Sequence, residues 1–203
     1  MNLLSKYVNN TTPKCWKAAK RILIYLNTTK DYSLRTGPSN NEGLKTYSDS
    51  TWADDKMNRL SRSGGVILYN GSFLSAYSHQ QRSVALSSCQ AEYQALASAV
   101  QELLYFRQLL GEIGYGENIP TPLLCDNQGA MYLAITTKND PNVKHIAIKY
   151  HFVRESVKDN IVNLLYVNTR EQVADIMTKP LGRSQFEKFR TMMGVDNYNY
   201  NNH

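Results

Sequence analysis

The 203 residues carry 23 lysines and arginines against 17 aspartates and glutamates, a net charge of +6 with a pI near 9.1. That balance favours a polyanionic partner, and an apolar fraction of 42% is enough for one cored domain with an appendage. No apolar run approaches the ~18 residues of a membrane span, and MNLLSKYVNNTTPK lacks the apolar stretch of a secretory signal.

Cys15, Cys89 and Cys125 are odd in number and form no CxxC pair, so reduced intracellular thiols are expected rather than disulfides or a zinc site. The first predicted element is a helix in TTPKCWKAAKRILIYLNTTKD, capped by Thr12 with Pro13 in its first turn. Trp16, Ala19, Ile22, Leu23 and Leu26 form its apolar stripe, and Lys14, Lys17 and Arg21 share the opposite face. A Gly/Ser/Asn-rich linker follows, then a strand over Leu44–Asp49. GGVILYNGSFLSAYS reads as two strands joined by Asn70-Gly71, a type I′ hairpin signal, so the first three strands form an antiparallel meander. Between Ser88 and Leu110 the period becomes helical, with Leu96, Ala99, Leu103, Phe106 and Leu110 on one stripe. Leu123–Cys125 is a short buried strand leading directly into a helix. KHIAIKYHFVRESVKD is a helix carrying Lys144, His145, Lys149, His151, Arg154 and Lys158, and Ile161–Val167 is a further strand. A helix after Asn168 is predicted from the capping box Thr169/Gln172, and a last one from Ser184/Glu187. The Asn/Tyr-biased tail DNYNYNNH reads as disordered. This order predicts an α+β/α fold, with helices around a mixed sheet.

Four acids stand out against that plan. Asp49 and Asp126 each close a predicted strand, where open sheets place ligand sites. Stepping back four residues from Leu96 puts Glu92 at the head of an apolar stripe, an unusual place for an unpartnered carboxylate. Asp175 falls in the second turn of a late helix. Taken singly, each has a plain alternative: a turn acid, or a side chain reaching solvent at a helix end. If the two strands are neighbours, all four converge at one sheet edge. Like charges that close require a cation, and two magnesium ions, with manganese as a substitute, suit an all-carboxylate set facing a phosphodiester.

KTYSDSTWADD, RLSRSGG, ALSSCQAEYQAL, LLCDNQGAM, KHIAIKYHFVRE and EQVADIMTKPL closely resemble, in this order, the ribonuclease H segment of copia-type LTR retrotransposon polyproteins. PKCWKAAKRILIYLNTTKDYSL is similar to the end of that family's reverse transcriptase. The resemblance runs from about Leu4 to Leu181 and implies a ribonuclease H-like fold with a mixed five-stranded sheet behind an N-terminal helix. It divides the chain into a thumb/connection remnant and linker (1–42), the ribonuclease H-like domain (43–182), and a C-terminal helix with its tail (183–203). It further implies metal-dependent hydrolysis of the RNA strand of RNA–DNA hybrids, with Asp49, Glu92, Asp126 and Asp175 as catalytic, magnesium-binding residues. Ser50, Ser61, Arg62, Ser63, Ser88, Asn127, Gln128, Lys144, Lys149 and Arg154 become candidates for nucleic-acid contact, since such groups meet phosphate and the RNA 2′-OH.

The implied partners are the hybrid, the rest of the reverse transcriptase and element capsid proteins, in a cytoplasmic virus-like particle or the nucleus. Some positions depart from the family. WADD stands where WAGD is usual, so Asp54 and Asp55 read as loop acids, and Gln90 stands where an acid is common. No histidine-bearing loop precedes Asp175; His145 and His151 are given structural or phosphate-side roles. The YxDD polymerase signature is absent. The alternative reading is a catalytically silent or domesticated derivative that binds nucleic acid or element proteins. An integrase of the same broad fold is disfavoured because the glutamate comes second among the acids.

Overall fold

The computed structural model describes residues 2–5, 7–38, 40–55, 57–136 and 147–197. In chain order the elements begin with α1 (Asn2–Ser5), α2 (Pro13–Thr28), β1 (Ser33–Leu34), β2 (Leu44–Thr51), β3 (Arg62–Tyr69) and β4 (Ser72–Gln80). Then come α3 (Ser88–Glu112), β5 (Thr121–Cys125), α4 (Gln128–Ile135), α5 (Ala147–Lys158) and β6 (Val162–Tyr166). A single 3-10 turn (Thr169–Glu171) leads to α6 (Asp175–Thr178), α7 (Arg183–Met192) and β7 (Val195–Asp196). No described helix is long and apolar enough to cross a membrane.

The chain divides into two compact units, Met1–Leu34 with Val195–His203, and Arg35–Gly194. In the smaller unit α2 starts as expected: Thr12 Oγ1 accepts the Cys15 N–H at 3.3 Å, and Pro13 occupies the first turn. No residue of α2 is buried, and on its apolar stripe Ala19 and Ile22 are partly covered while Trp16 and Leu23 are 63% and 64% exposed. β1 and β7 pair antiparallel.

The larger unit holds a five-stranded sheet in the order β4-β3-β2-β5-β6. β2, β3 and β4 are antiparallel, whereas β5 pairs parallel with both β2 and β6. This is the mixed, helix-flanked sheet expected from the sequence. The hairpin turn is type I′: Asn70 and Gly71 both have positive φ, at 49° and 76°. Strand alternation separates two cores. Leu44, Ile67 and Leu123 point to one face and pack on Tyr93, Leu96, Val100 and Leu103 of α3 and Val153 of α5. Tyr47, Val66 and Leu68 point to the other and meet Val173, Phe189 and Met193.

Two predicted helix starts are corrected. The segment after Asn168 is not one helix. The Asn168 side chain caps the 3-10 turn by accepting the Arg170 N–H, and Gln172 is extended. The supposed box residues are bonded elsewhere: Thr169 to Asp126, and the Gln172 amide to the Ser48 carbonyl at 2.9 Å. Likewise α7 begins at Arg183 behind Gly182 with no side-chain cap, and Glu187 pairs with Arg183 at 2.8 Å instead of closing a box with Ser184.

Candidate metal centre

Where β2 and β5 run side by side, Tyr47 pairs with Leu124. Two residues further along each strand stand Asp49 and Asp126, so the parallel register brings these acids to one level at the carboxyl end of β5. Asp49 lies inside β2, which continues to Thr51. The Asp49 carboxylate is fully buried on the face that α6 covers, and Asp175 is the first residue of that helix. Carboxylate oxygens of Asp49, Asp126 and Asp175 lie within 4.8 Å of one another.

Glu92 approaches from the opposite face. Ser87 caps α3 through the Gln90 N–H, which starts the helix four residues before Glu92. Trp52 Nε1 donates to the Ala85 carbonyl at 2.9 Å and the Gln81 amide to the Ala91 carbonyl at 2.9 Å, fixing that end of α3 against the sheet. Glu92 Oε1 then accepts the Ser50 N–H at 3.3 Å, while its buried Oε2 has no partner among the described residues. A second ligand group, Glu92, Cys125 Sγ and Asp126, meets the same 4.8 Å limit, with Asp126 common to both groups.

The electrostatics follow from burial and like charge. Burial, reinforced by Asp49 and Asp126, pushes the Glu92 carboxyl up to about 9. Burial also lifts Asp49, to about 6, although Lys179 and Thr178 favour its charged form. Lys179 Nζ lies 2.9 Å from Asp49 Oδ1 and 2.7 Å from Asp175 Oδ1. Burial alone would lower that ammonium, but the two carboxylates outweigh it and hold it above the usual lysine range. Burial pushes the Cys125 thiol up, which disfavours the thiolate form that a metal would bind. The donors left are hard oxygens, several buried and one orphaned. The set fits a hard divalent cation, which would satisfy Glu92 Oε2 and offset the burial and like charge that raise Glu92 and Asp49.

No protein-family model matches the chain. It is 36% identical over 195 residues to the retrovirus-related Pol polyprotein from transposon RE2 of Arabidopsis thaliana, covering 96% of this chain and 13% of that protein. The corresponding polyprotein from transposon TNT 1-94 of Nicotiana tabacum is 33% identical over 195 residues, 96% of this chain and 14% of that protein. The chain belongs to the Pol polyproteins of copia-type transposons. It is also 40% identical over 105 residues to the secreted RxLR effector protein 161 of Plasmopara viticola, 52% of this chain and 74% of that protein. Among solved structures, LC11-RNase H1 in complex with an RNA/DNA hybrid is similar at a TM-score of 0.48 and 16% identity, over 66% of this chain and 92% of that one.

The other residues singled out in this Pol segment fall into distinct places. Ser61 and Ser63 are buried, their hydroxyls accepting from the Ala53 N–H at 3.0 Å and the Gln81 amide at 2.9 Å. Arg62 is buried with its Nε 3.3 Å from Asp54, and Arg154 Nε donates to the Leu133 carbonyl at 3.0 Å, tying α5 to α4. Ser50 is buried beside the acids, its hydroxyl without a partner among the described residues. Asn127 caps α4, and Ser88 and Gln128 are exposed near the site. His151 is exposed on α5, which also carries Lys149; Lys144 and His145 lie outside the described residues. Asp54 and Asp55 belong to the loop between β2 and β3, apart from the four acids.

The sequence assigned Thr169 and Gln172 only a capping role and gave Thr178 and Lys179 none. Thr169 Oγ1 donates to Asp126 Oδ2 at 2.8 Å and Thr178 Oγ1 to Asp49 Oδ2. One local signal was available: Lys179 stands four residues after Asp175 and immediately before Pro180, inside the quoted EQVADIMTKPL.

Proposed function

We propose that this chain is a metal-dependent ribonuclease H that hydrolyses the RNA strand of RNA–DNA hybrids as part of a retrotransposon reverse transcriptase. The observation that carries the reading is the meeting of four carboxylates, from β2, α3, α6 and the end of β5, beside the carboxyl end of β5, three of them with oxygens within 4.8 Å of one another. Kinship with transposon Pol polyproteins and the net charge of +6 support a nucleic-acid substrate.

Asp49, Glu92, Asp126 and Asp175 would hold two magnesium ions, with manganese as a substitute. The ions would supply Lewis acidity, which lowers the pKa of water and offsets charge developing on the phosphate. The chain itself does the positioning. Thr178 orients Asp49, Thr169 orients Asp126, and the Ser50 N–H orients Glu92. Exposed Ser88 and Gln128, with Asn127 at the α4 cap, would meet phosphate and the RNA 2′-OH. Ser61, Ser63, Arg62 and Arg154 instead support the scaffold through the internal bonds described above.

The test is cleavage of an end-labelled RNA–DNA hybrid with magnesium or manganese. Wild type cuts the RNA strand, and Asp49→Asn and Glu92→Gln each lower the rate by about a hundredfold or more. Binding of the hybrid without cleavage under either ion would overturn the enzyme reading in favour of a silent, nucleic-acid-binding derivative. Cleavage of duplex DNA with the hybrid spared would overturn the substrate.

A further inference from the structure

Lys179 is held across the centre by backbone geometry. Pro180 restricts the residue before it to extended conformations, and Lys179 has φ −122° and ψ 147° directly after the last turn of α6. The chain thereby leaves the helix and directs the lysine over the carboxylates. Its ammonium bridges Asp49 Oδ1 at 2.9 Å and Asp175 Oδ1 at 2.7 Å. Asp49 Oδ2 is already taken by Thr178, so both Asp49 oxygens have partners within the protein. Glu92 Oε2, in contrast, has none among the described residues, and Asp126 accepts from Thr169. The centre is therefore uneven: its Asp49–Asp175 side is filled by a resident cation, and its Glu92–Asp126 side is not.

We propose that Lys179 is a positioning residue that acts as a built-in counter-cation: it holds Asp49 and Asp175 together until a divalent ion enters, and the ion must displace it. The inference rests on the metal-centre reading above. An ammonium and a divalent cation compete for the same lone pairs, and one site cannot hold both at hydrogen-bonding distance. Of the two partners of Asp49, Lys179 is the one that can leave. Its side chain is 31% exposed on a long flexible stem, whereas Thr178 is buried in α6. An ion between Asp49 and Asp175 thus has to expel an ammonium, whereas an ion beside Glu92 and Asp126 displaces no side-chain cation among the described residues.

The experiment is manganese binding to the full chain, followed by electron paramagnetic resonance, with melting temperatures measured with and without the ion. Lys179→Met removes the charge and keeps the bulk; Lys179→Arg keeps the charge. The expected result is that Lys179→Met melts below wild type in chelator, yet binds manganese tighter by roughly tenfold at the weaker step. Lys179→Arg stays close to wild type in both. Unchanged or weaker manganese binding by Lys179→Met, or equal behaviour of the Met and Arg variants, would overturn the proposal. If Lys179→Met does not fold, wild type carries the test through nitrogen-15 resonances of the lysine ammonium. Magnesium should shift the Lys179 signal to that of a solvated lysine, and a signal insensitive to magnesium would rule displacement out. Hybrid cleavage separates the two readings. Cleavage by wild type with no tightening in Lys179→Met removes only the lysine proposal, and tightening without cleavage removes only the nuclease.

Discussion

Gly64 stands directly opposite Asp49 across the β2–β3 ladder, and a methyl group placed on it would come within 2.6 Å of Thr178 Cγ2 and 2.7 Å of Met177 Cβ. The missing side chain lets α6 lie flat on the sheet, which brings Asp175, Thr178 and Lys179 to Asp49. Gly64→Ala is expected to push α6 outward, costing about 1–3 kcal/mol through overpacking and weakening divalent-ion binding in parallel. Chemical denaturation and a manganese titration on the same variant check both effects. A loss of stability with unchanged ion affinity would separate α6 packing from the centre.

Metal-free stability should depend on pH with a definite sign. Glu92 is raised to about 9 from an ordinary value of 4.5, and Asp49 to about 6 from 3.8. Below the ordinary values both groups are protonated in folded and unfolded chains alike. As pH rises, the unfolded chain releases these protons first, so the folded state loses stability until its own groups ionise. In chelator the melting temperature is expected to fall between about pH 5 and pH 9. Glu92→Gln should flatten that slope and stabilise the protein at pH 8, and magnesium should flatten it in wild type. Melting curves across this range, with chelator and with magnesium, decide the matter.

Much of this was legible because it is encoded locally. Asn70-Gly71 specifies its turn through two positive φ values, the stripe on α3 leads back to Glu92, and Asp126 follows a short apolar run into a helix. The stretch from Asn168 to Lys179 was misread for the opposite reason. Its capping-box pattern is outcompeted by partners far away in sequence: Ser48 for Gln172 and Asp126 for Thr169. Lys179 stayed hidden because half of its meaning is the Asp49 carboxylate on β2. A four-residue spacing from Asp175 suggests only a surface pair until that second acid is known. The interior roles of Ser61, Ser63 and Arg62 were equally invisible, since nothing in RLSRSGG distinguishes a buried hydroxyl from one awaiting phosphate.

Gln172 gives a test of support from outside the centre. Its side-chain amide is fully buried: Nε2 donates to the Ser48 carbonyl just past the point where β2 stops pairing with β5, while Oε1 accepts the Ala174 N–H at 3.4 Å. These bonds set the approach of the chain to Asp175. Gln172→Leu leaves the Ser48 carbonyl buried without that donor, and is expected to cost roughly 1–3 kcal/mol. It should also lower hybrid cleavage without touching any acid. Denaturant melts and cleavage rates at saturating magnesium measure the two losses. Full activity would show that the Asp175 approach holds without this anchor.

Asp55 supplies the contrast with Asp49 within the same short stretch. Its carboxylate accepts the Met57 N–H at 3.0 Å and the Gln80 amide at 3.0 Å, closing the loop between β2 and β3 at the end of β4. Asp55→Ala removes both bonds from a partly solvated loop, where each net contribution is about 0.5–1.5 kcal/mol. The melting temperature should therefore drop, while manganese affinity and hybrid cleavage under stabilising conditions stay at wild-type levels. Asp49→Asn should do the reverse in chelator. It removes a charge that burial disfavours, so metal-free stability changes little, yet ion binding collapses. Equal loss of ion affinity in both variants would place Asp55 in the centre and undo the separation of loop acids from ligands.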